Sequence, residues 1–285
     1  MKIVTDSSIM LSCDQGKEHG LTIVPLSVSI GGETWLEYEE ISKEDFLERV
    51  RNGGVPTSAS PSYAMTLEAY SCDEEVLHIA MADGLSGAYE VACSARLQAR
   101  YPERVTVLNS TTLCIPHRAI VYRAKELLQK GLCKEKILDK LQPMMKSTTS
   151  YLIPEDFDFL RRGGRLTPMA ARIAGILKVV PLMVLTEDRK RIEKRAIART
   201  VSSAARAIIK DMFSWGVGET YYISVSHADN PARAKKVADL IQLAFPKTRV
   251  GVFELGPAFI TQGGPGCVAV QFVDLAESGI NPALA

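Results

Sequence analysis

The sequence predicts an α/β protein of two α/β domains, the first with a mostly parallel sheet over residues 1–150 and the second with a mixed sheet over residues 151–285. Three observations carry this. The 285 residues exceed what one hydrophobic core usually organises, since domains run to roughly 100–200 residues. In the first half, short apolar runs alternate with longer amphipathic ones, which is the pattern of βαβ units. Near residue 150 the rhythm changes, and two segments, 179–186 and 191–198, flank a short charged turn as in an antiparallel hairpin.

Taken in order, strands are expected at 2–5, 22–30, 76–82 and 105–109. Ser42 with Asp45 three residues on opens a helix that carries Phe46, Leu47 and Val50, and the spacing of Ile120, Ala124 and Leu127 makes 113–129 helical. In the second half, 179–186 and 191–198 flank Glu187-Asp188-Arg189-Lys190 as a hairpin, and further strands are expected at 220–227, 248–255 and 267–273. Helices fill 200–213 and 231–245, the latter opened by Asn230 as N-cap and Pro231 in the first turn.

Composition excludes several classes. With 46% hydrophobic and 24% charged residues and a net charge of +1, neither disorder nor wholesale nucleic-acid binding is favoured. The opening MKIVTDSS sets Asp6 and Ser7 where a signal peptide needs apolar residues, and no 18 consecutive apolar residues occur, so a cytoplasmic protein without stable membrane insertion is expected. Six cysteines without a CxxC pair predict reduced thiols, and four isolated histidines predict no metal site. Charge is uneven: 160–210 holds 13 basic and three acidic residues, a net +10, which leaves about −9 for the rest.

Two segments join a strand or loop to a helix through small hydroxyl residues: Pro56-Thr57-Ser58-Ala59-Ser60-Pro61-Ser62 and Asp83-Gly84-Leu85-Ser86-Gly87-Ala88-Tyr89. Helix starts bind anions through exposed N–H groups, and Thr57, Ser58 and Ser86 add hydroxyl donors for a carboxylate or phosphate. The plainer alternative makes Ser60 and Ser86 simple N-caps, with Pro61 in the first helical turn. A serine nucleophile is disfavoured, because Ser86 lacks a GxSxG setting and no base is placed beside it by sequence. The segment 157–168 has a Gly pair to end a helix and Thr167-Pro168 to start another, without the P-loop pattern. Four glycines in 256–266 permit unusual backbone angles or close approach to a ligand.

The opening IVTDSS, the VPL at Val24 to Leu26, Thr57-Ser58, the LSGxY of Leu85 to Tyr89, LRRGGRLT from Leu160 to Thr167, and the GPG of Gly264 to Gly266 together resemble the blocks of the DegV family, in order and across nearly the whole chain. The resemblance implies two α/β domains with one long-chain fatty acid between them, its carboxylate held by hydroxyls at Thr57, Ser58 and Ser86. It implies no catalytic residue and no cofactor. Its implied partner is a separate ATP-dependent acyl kinase protein, to which the carrier presents the carboxylate for acyl phosphate formation and phospholipid synthesis. Three positions depart from the pattern: Ala59 stands for the usual Gln, Ala88 for Thr, and Gln262 for a His before GPG. Gln262 is therefore a fourth candidate ligand residue, one that donates a hydrogen bond without carrying charge. The apolar face of 169–177, with Ile173, Ile176 and Leu177, suits either a ligand tunnel or ordinary core. Two other functions remain open, a small-molecule kinase or transferase at the same helix starts and a lipid-sensing regulatory protein.

Overall fold

The structure is a computed structural model and describes residues 1–173 and 179–275. The chain forms two compact units. Among the described residues, one comprises Met1–Lys146 with Gly256–Ala258, and the other comprises Ser147–Leu255 with 259–275.

The first unit runs β1 (Lys2–Asp6), α1 (Cys13–Glu18), β2 (Thr22–Val24), β3 (Ser27–Ile30), β4 (Glu33–Leu36), α2 (Lys43–Arg51), β5 (Pro56–Ala59), α3 (Tyr63–Ala69), β6 (Val76–Ala80), α4 (Ala88–Gln98), β7 (Val105–Asn109), α5 (Cys114–Gln129) and α6 (Lys134–Lys146). Strands β2-β1-β6-β7 make the expected sheet, and every pairing in it is parallel. Helices cover such a sheet, so every residue of β6 is buried. Ser42 caps α2 through the Asp45 N–H, as the sequence predicts.

One expected strand divides. Residues 22–30 form β2 in the parallel sheet and then β3, which joins a separate antiparallel sheet of order β4-β3-β5. Pro25 between them has no N–H to donate, and the next N–H, on Leu26, goes to Ser7 Oγ at 2.9 Å. The ladder therefore stops at Val24.

The second unit continues with β8 (Thr149–Ile153), α7 (Phe157–Gly163), β9 (Val180–Leu185), β10 (Ile192–Ala198), α8 (Val201–Ser214), β11 (Tyr221–His227), α9 (Pro231–Ala244), β12 (Arg249–Glu254), α10 (Pro257–Gly263) and β13 (Val268–Asp274). Its sheet, of order β10-β9-β8-β13-β11-β12, is mixed: β11 pairs β12 in parallel and the other pairings are antiparallel. Alternate residues such as Ile153, Leu182, Ile223, Val225 and Phe272 pack with Ala204, Ile208, Val237 and Ile241 of α8 and α9. The β9–β10 hairpin bulges between Lys194 and Ala196, beside Arg195, whose guanidinium donates to both oxygens of Asp211 on α8 at 2.6 and 2.7 Å. Gly164, at φ 73°, ends α7 as the Gly pair predicts. In the candidate tunnel stretch, Met169 is 79% exposed, while Ile176 and Leu177 lie outside the described residues.

Candidate ligand site

Parallel α/β sheets place ligands outside the carboxyl ends of their strands, and in the first unit that edge is rich in polar groups. β1 ends at Asp6, whose carboxylate accepts from Ser8 N at 3.1 Å and from Met81 N, just past β6, at 2.9 Å. The ends of two neighbouring strands are thereby tied together. His117 of α5 sits behind them. Its Nε2 lies 3.1 Å from the Ile79 carbonyl, which only accepts, so Nε2 carries the proton and Nδ1 accepts from Ser8 Oγ at 2.9 Å. Burial holds His117 below the usual histidine range and pushes the nearby His78 down to about 4.

The loop after β6 carries Ser86. Leu85 N and Ser86 N both turn back onto the Ala82 carbonyl at 3.3 and 3.4 Å, and Gly84 takes φ 86°. Asn109, the last residue of β7, accepts from Asp83 N at 3.3 Å and from Thr111 N at 2.9 Å, which pins this loop to the neighbouring strand. The N-cap of α4 is Gly87 rather than Ser86, yet Ser86 Oγ still accepts from the Ala88 N–H at 3.2 Å. With its oxygen accepting from the helix start, the hydroxyl keeps its own proton for donation.

Thr57 and Ser58 differ from the expected helix start. They lie in β5, an edge strand paired with β3 in the register Ser29↔Thr57 and Val28↔Ser58. The cause is backbone pairing: Pro56, without an N–H, opens a strand at a sheet edge, and the chain stays extended to Ala59. Successive strand side chains point to opposite faces, so Thr57 is exposed while Ser58, half-buried, shares the face of Pro56 and Val28. The helix that follows, α3, has Ser62 as its N-cap, so Ser60 is not the cap and Pro61 precedes the helix.

Ser60 has another place. Its Oγ lies where a Cβ on Gly87 would sit, only 2.7 Å from that position. The two hydroxyl segments therefore meet at Ser60 and Gly87, where any Cβ would force the Ser60 hydroxyl to shift.

Gln262 belongs to the second unit. Its amide packs onto Gly163, at which a Cβ would collide with Oε1. Phe159, the residue before LRRGGRLT, lies against Gly264 of the GPG segment, which holds φ 75°. Arg191 Nη1 adds a bond to the Gly164 carbonyl at 2.9 Å.

Several residues of this edge escaped the sequence reading: Asp6, Ser7, Glu37, Asn109 and His117. The available signal was the run Asp6-Ser7-Ser8 directly after the first apolar strand, where a strand's carboxyl end falls. Chemically, the edge offers hydroxyl and amide donors. The bond made by the Ser86 hydroxyl is to a backbone group, the Ala88 N–H. No group of three or more His, Cys, Asp or Glu that could hold a metal ion occurs among the described residues.

Comparison with known proteins gives the same pattern over the whole length. A DegV domain-containing protein of Halalkalibacterium halodurans is 28% identical over 284 residues, covering 95% of this chain and 97% of its own. Among solved structures, a fatty acid binding DegV family protein of Thermus thermophilus matches with a TM-score of 0.85 at 26% identity, over 96% of this chain and 99% of that one. DegV of Bacillus subtilis, a fatty acid binding protein, shares the fold with a TM-score of 0.82 at 24% identity, over 96% and 98% of the two chains. The DegV family profile matches residues 1–275, and the chain belongs to the DegV family.

Proposed function

We propose that this protein is a non-catalytic carrier of one long-chain fatty acid, whose carboxylate is held by the hydroxyls of Thr57 and Ser86; Ser58, expected to join them, points to the opposite face of β5. The observation that carries this reading is the junction of Ser60 with Gly87, which brings two hydroxyl-bearing segments to one polar strand edge. Similarity to the Thermus thermophilus protein, itself fatty acid binding, supports the ligand class. A fatty acid asks for two things of a site. Burying its tail contributes about 0.8 kcal/mol per CH₂, and its buried anion must be hydrogen-bonded. Ser86, accepting from Ala88 N–H while keeping its own proton for donation, meets the second need.

In this reading the protein presents the carboxylate to a separate acyl kinase, which phosphorylates it with ATP for phospholipid synthesis. ATP places that work in the cytoplasm. No helix among the described residues is long and apolar enough to cross a membrane. Gln262 acts as a neutral donor toward the same ligand. The basic hairpin attracts the acidic surface of the kinase, especially through Arg189, Lys190 and Arg191, and Lys190, Arg191, Lys194 and Arg195 are exposed along it. Arg189 and Arg191 also hold structure there, donating to Thr148 Oγ1 at 2.8 Å and to the Gly164 carbonyl at 2.9 Å.

The test is calorimetric titration with oleate of the parent and of a Thr57→Ala, Ser86→Ala double variant. Micromolar or tighter binding by the parent and a loss of ten-fold or more in the variant is expected. Equal affinity in a folded double variant would remove the carboxylate assignment, and no binding by a ligand-stripped parent would remove the fatty acid itself.

A further inference from the structure

Glu37 follows β4 inside an acidic stretch that also contains Glu33, Glu39 and Glu40, yet its side chain is wholly buried. Its two oxygens reach different parts of the chain. Oε2 accepts from Ser7 Oγ at 2.7 Å, and Oε1 accepts from the Ala258 N–H at 2.9 Å, 221 residues away. Ser7 Oγ in turn accepts from Leu26 N. The next residue, Tyr38, holds φ 66°, a conformation rare for a bulky side chain. Its phenol lies so close to Gly256 that a Cβ there would collide with it, and the same Cβ would stand 2.7 Å from Glu37 Oε1. Two adjacent side chains thus hold both ends of Gly256-Pro257-Ala258. A strained backbone kept in place by its surroundings is a common mark of a functional position.

We propose that Glu37 is a positioning residue for ligand binding: a proton-dependent clasp on Gly256-Pro257-Ala258, the turn that leads into Gln262, closed when the carboxyl is neutral, with its proton on Oε2 shared with Ser7 Oγ while Oε1 accepts from the Ala258 N–H, and released when it ionises. The clasp stands on the geometry just given, and its consequence for the ligand rests on the fatty-acid reading above.

The balance of influences on Glu37 sets the direction. Burial is the largest and pushes the carboxyl up to about 7, against the bonds from Ser7 and Ala258 N–H that favour the anion, and the Asp6 carboxylate at the end of β1 adds to the rise. Tyr38 is itself pushed well above the usual phenol range by burial and by Glu37. From α5, Cys114 and Arg118 act on Tyr38, but the Arg118 guanidinium is committed to the carbonyls of Ile9 at 2.7 Å and Met10 at 2.5 Å. His117, facing Asp6, is held below the usual histidine range. In an opened, hydrated clasp the carboxyl would return to its ordinary 4.5. The closed form therefore binds the proton more tightly, and rising pH favours opening. With values of about 7 closed and 4.5 open, the opening constant grows about ten-fold between pH 6 and pH 8.

Amide hydrogen exchange at Ala258, corrected for intrinsic rates, reads this directly. The parent should lose about ten-fold in protection from pH 6 to pH 8. Glu37→Gln, a permanently neutral isostere whose carbonyl still accepts from Ala258 N–H, should keep its protection throughout. Oleate dissociation should speed up with pH in the parent and stay flat in Glu37→Gln. Equal pH dependence of Ala258 exchange in both proteins, or none in the parent, overturns the clasp. A working clasp with no oleate binding at all would instead refute the fatty-acid reading. Should Glu37→Gln fail to fold, Tyr38→Phe keeps the titrating group, and a flat exchange profile in that variant also overturns the proposal.

Discussion

Replacing Ser86 by alanine perturbs two bonds of one hydroxyl, and the two are separable. The first is the contact observed from the N–H of Ala88, the first residue of α4, at 3.2 Å. Loss of one such hydrogen bond costs about 1 kcal/mol of stability. The second is the donation to the ligand carboxylate, and a hydrogen bond to a charged group contributes about 1.5–3 kcal/mol, or roughly 10- to 150-fold in affinity. Ser86→Ala should therefore lower thermal stability slightly and oleate affinity strongly. Ser86→Asp makes the distinction sharper: its carboxylate still accepts from Ala88 N–H and suits a helix start, but it repels the ligand anion. We expect Ser86→Asp to melt near the parent and to bind oleate at least as poorly as Ser86→Ala. Calorimetric titration paired with thermal unfolding gives both readings. A Ser86→Asp protein that binds oleate within two-fold of the parent would refute the placement of the anion at this loop.

Other outcomes follow from the same contacts. Because the Glu37 carboxyl rises from 4.5 to about 7 on folding, its contribution to stability is fully present below pH 4.5 and is lost as pH climbs through 7. The difference is about 3 kcal/mol, so Glu37→Gln should be the more stable protein at pH 8 in urea denaturation. Gly87→Ala should displace Ser60 and weaken oleate binding, and Ser60→Ala in the same chain should restore part of it, since removing Oγ makes room for the new Cβ. Gln262→His should add a rise in affinity toward pH 6 on top of the parent profile, because a histidine becomes charged there while glutamine does not. Lys190→Glu with Lys194→Glu should slow kinase-dependent acyl phosphate formation at low salt without changing oleate affinity, as measured by stopped-flow and titration.

The sheets were legible where burial is simple. β6, covered on both faces, reads as an apolar run interrupted only by His78, and the β9–β10 hairpin shows in the charged turn between its two strands. The break between β2 and β3 was less visible, because Pro25 sits inside an apolar run and its effect depends on Ser7 capturing the Leu26 N–H. β5 was missed for a related reason. Pro56-Thr57-Ser58-Ala59 has no apolar alternation, and only pairing with β3 makes it a strand. Local preference favours capping roles for serine and threonine, and the tertiary ladder overrode it here. In the site, Ser86 was found by its setting before a helix. Glu37 was hidden among Glu33, Glu39 and Glu40, since four acids in a short stretch read as a solvated surface and nothing local marks the one that turns inward.

The most direct test of the central claim is native mass spectrometry of the freshly purified protein, followed by organic extraction and identification of whatever is released. The account predicts a single added mass in the long-chain fatty-acid range per chain, released as the free acid and absent from the Thr57→Ala, Ser86→Asp double variant. A phosphorylated metabolite in its place, or a fatty acid retained undiminished by that variant, would contradict it.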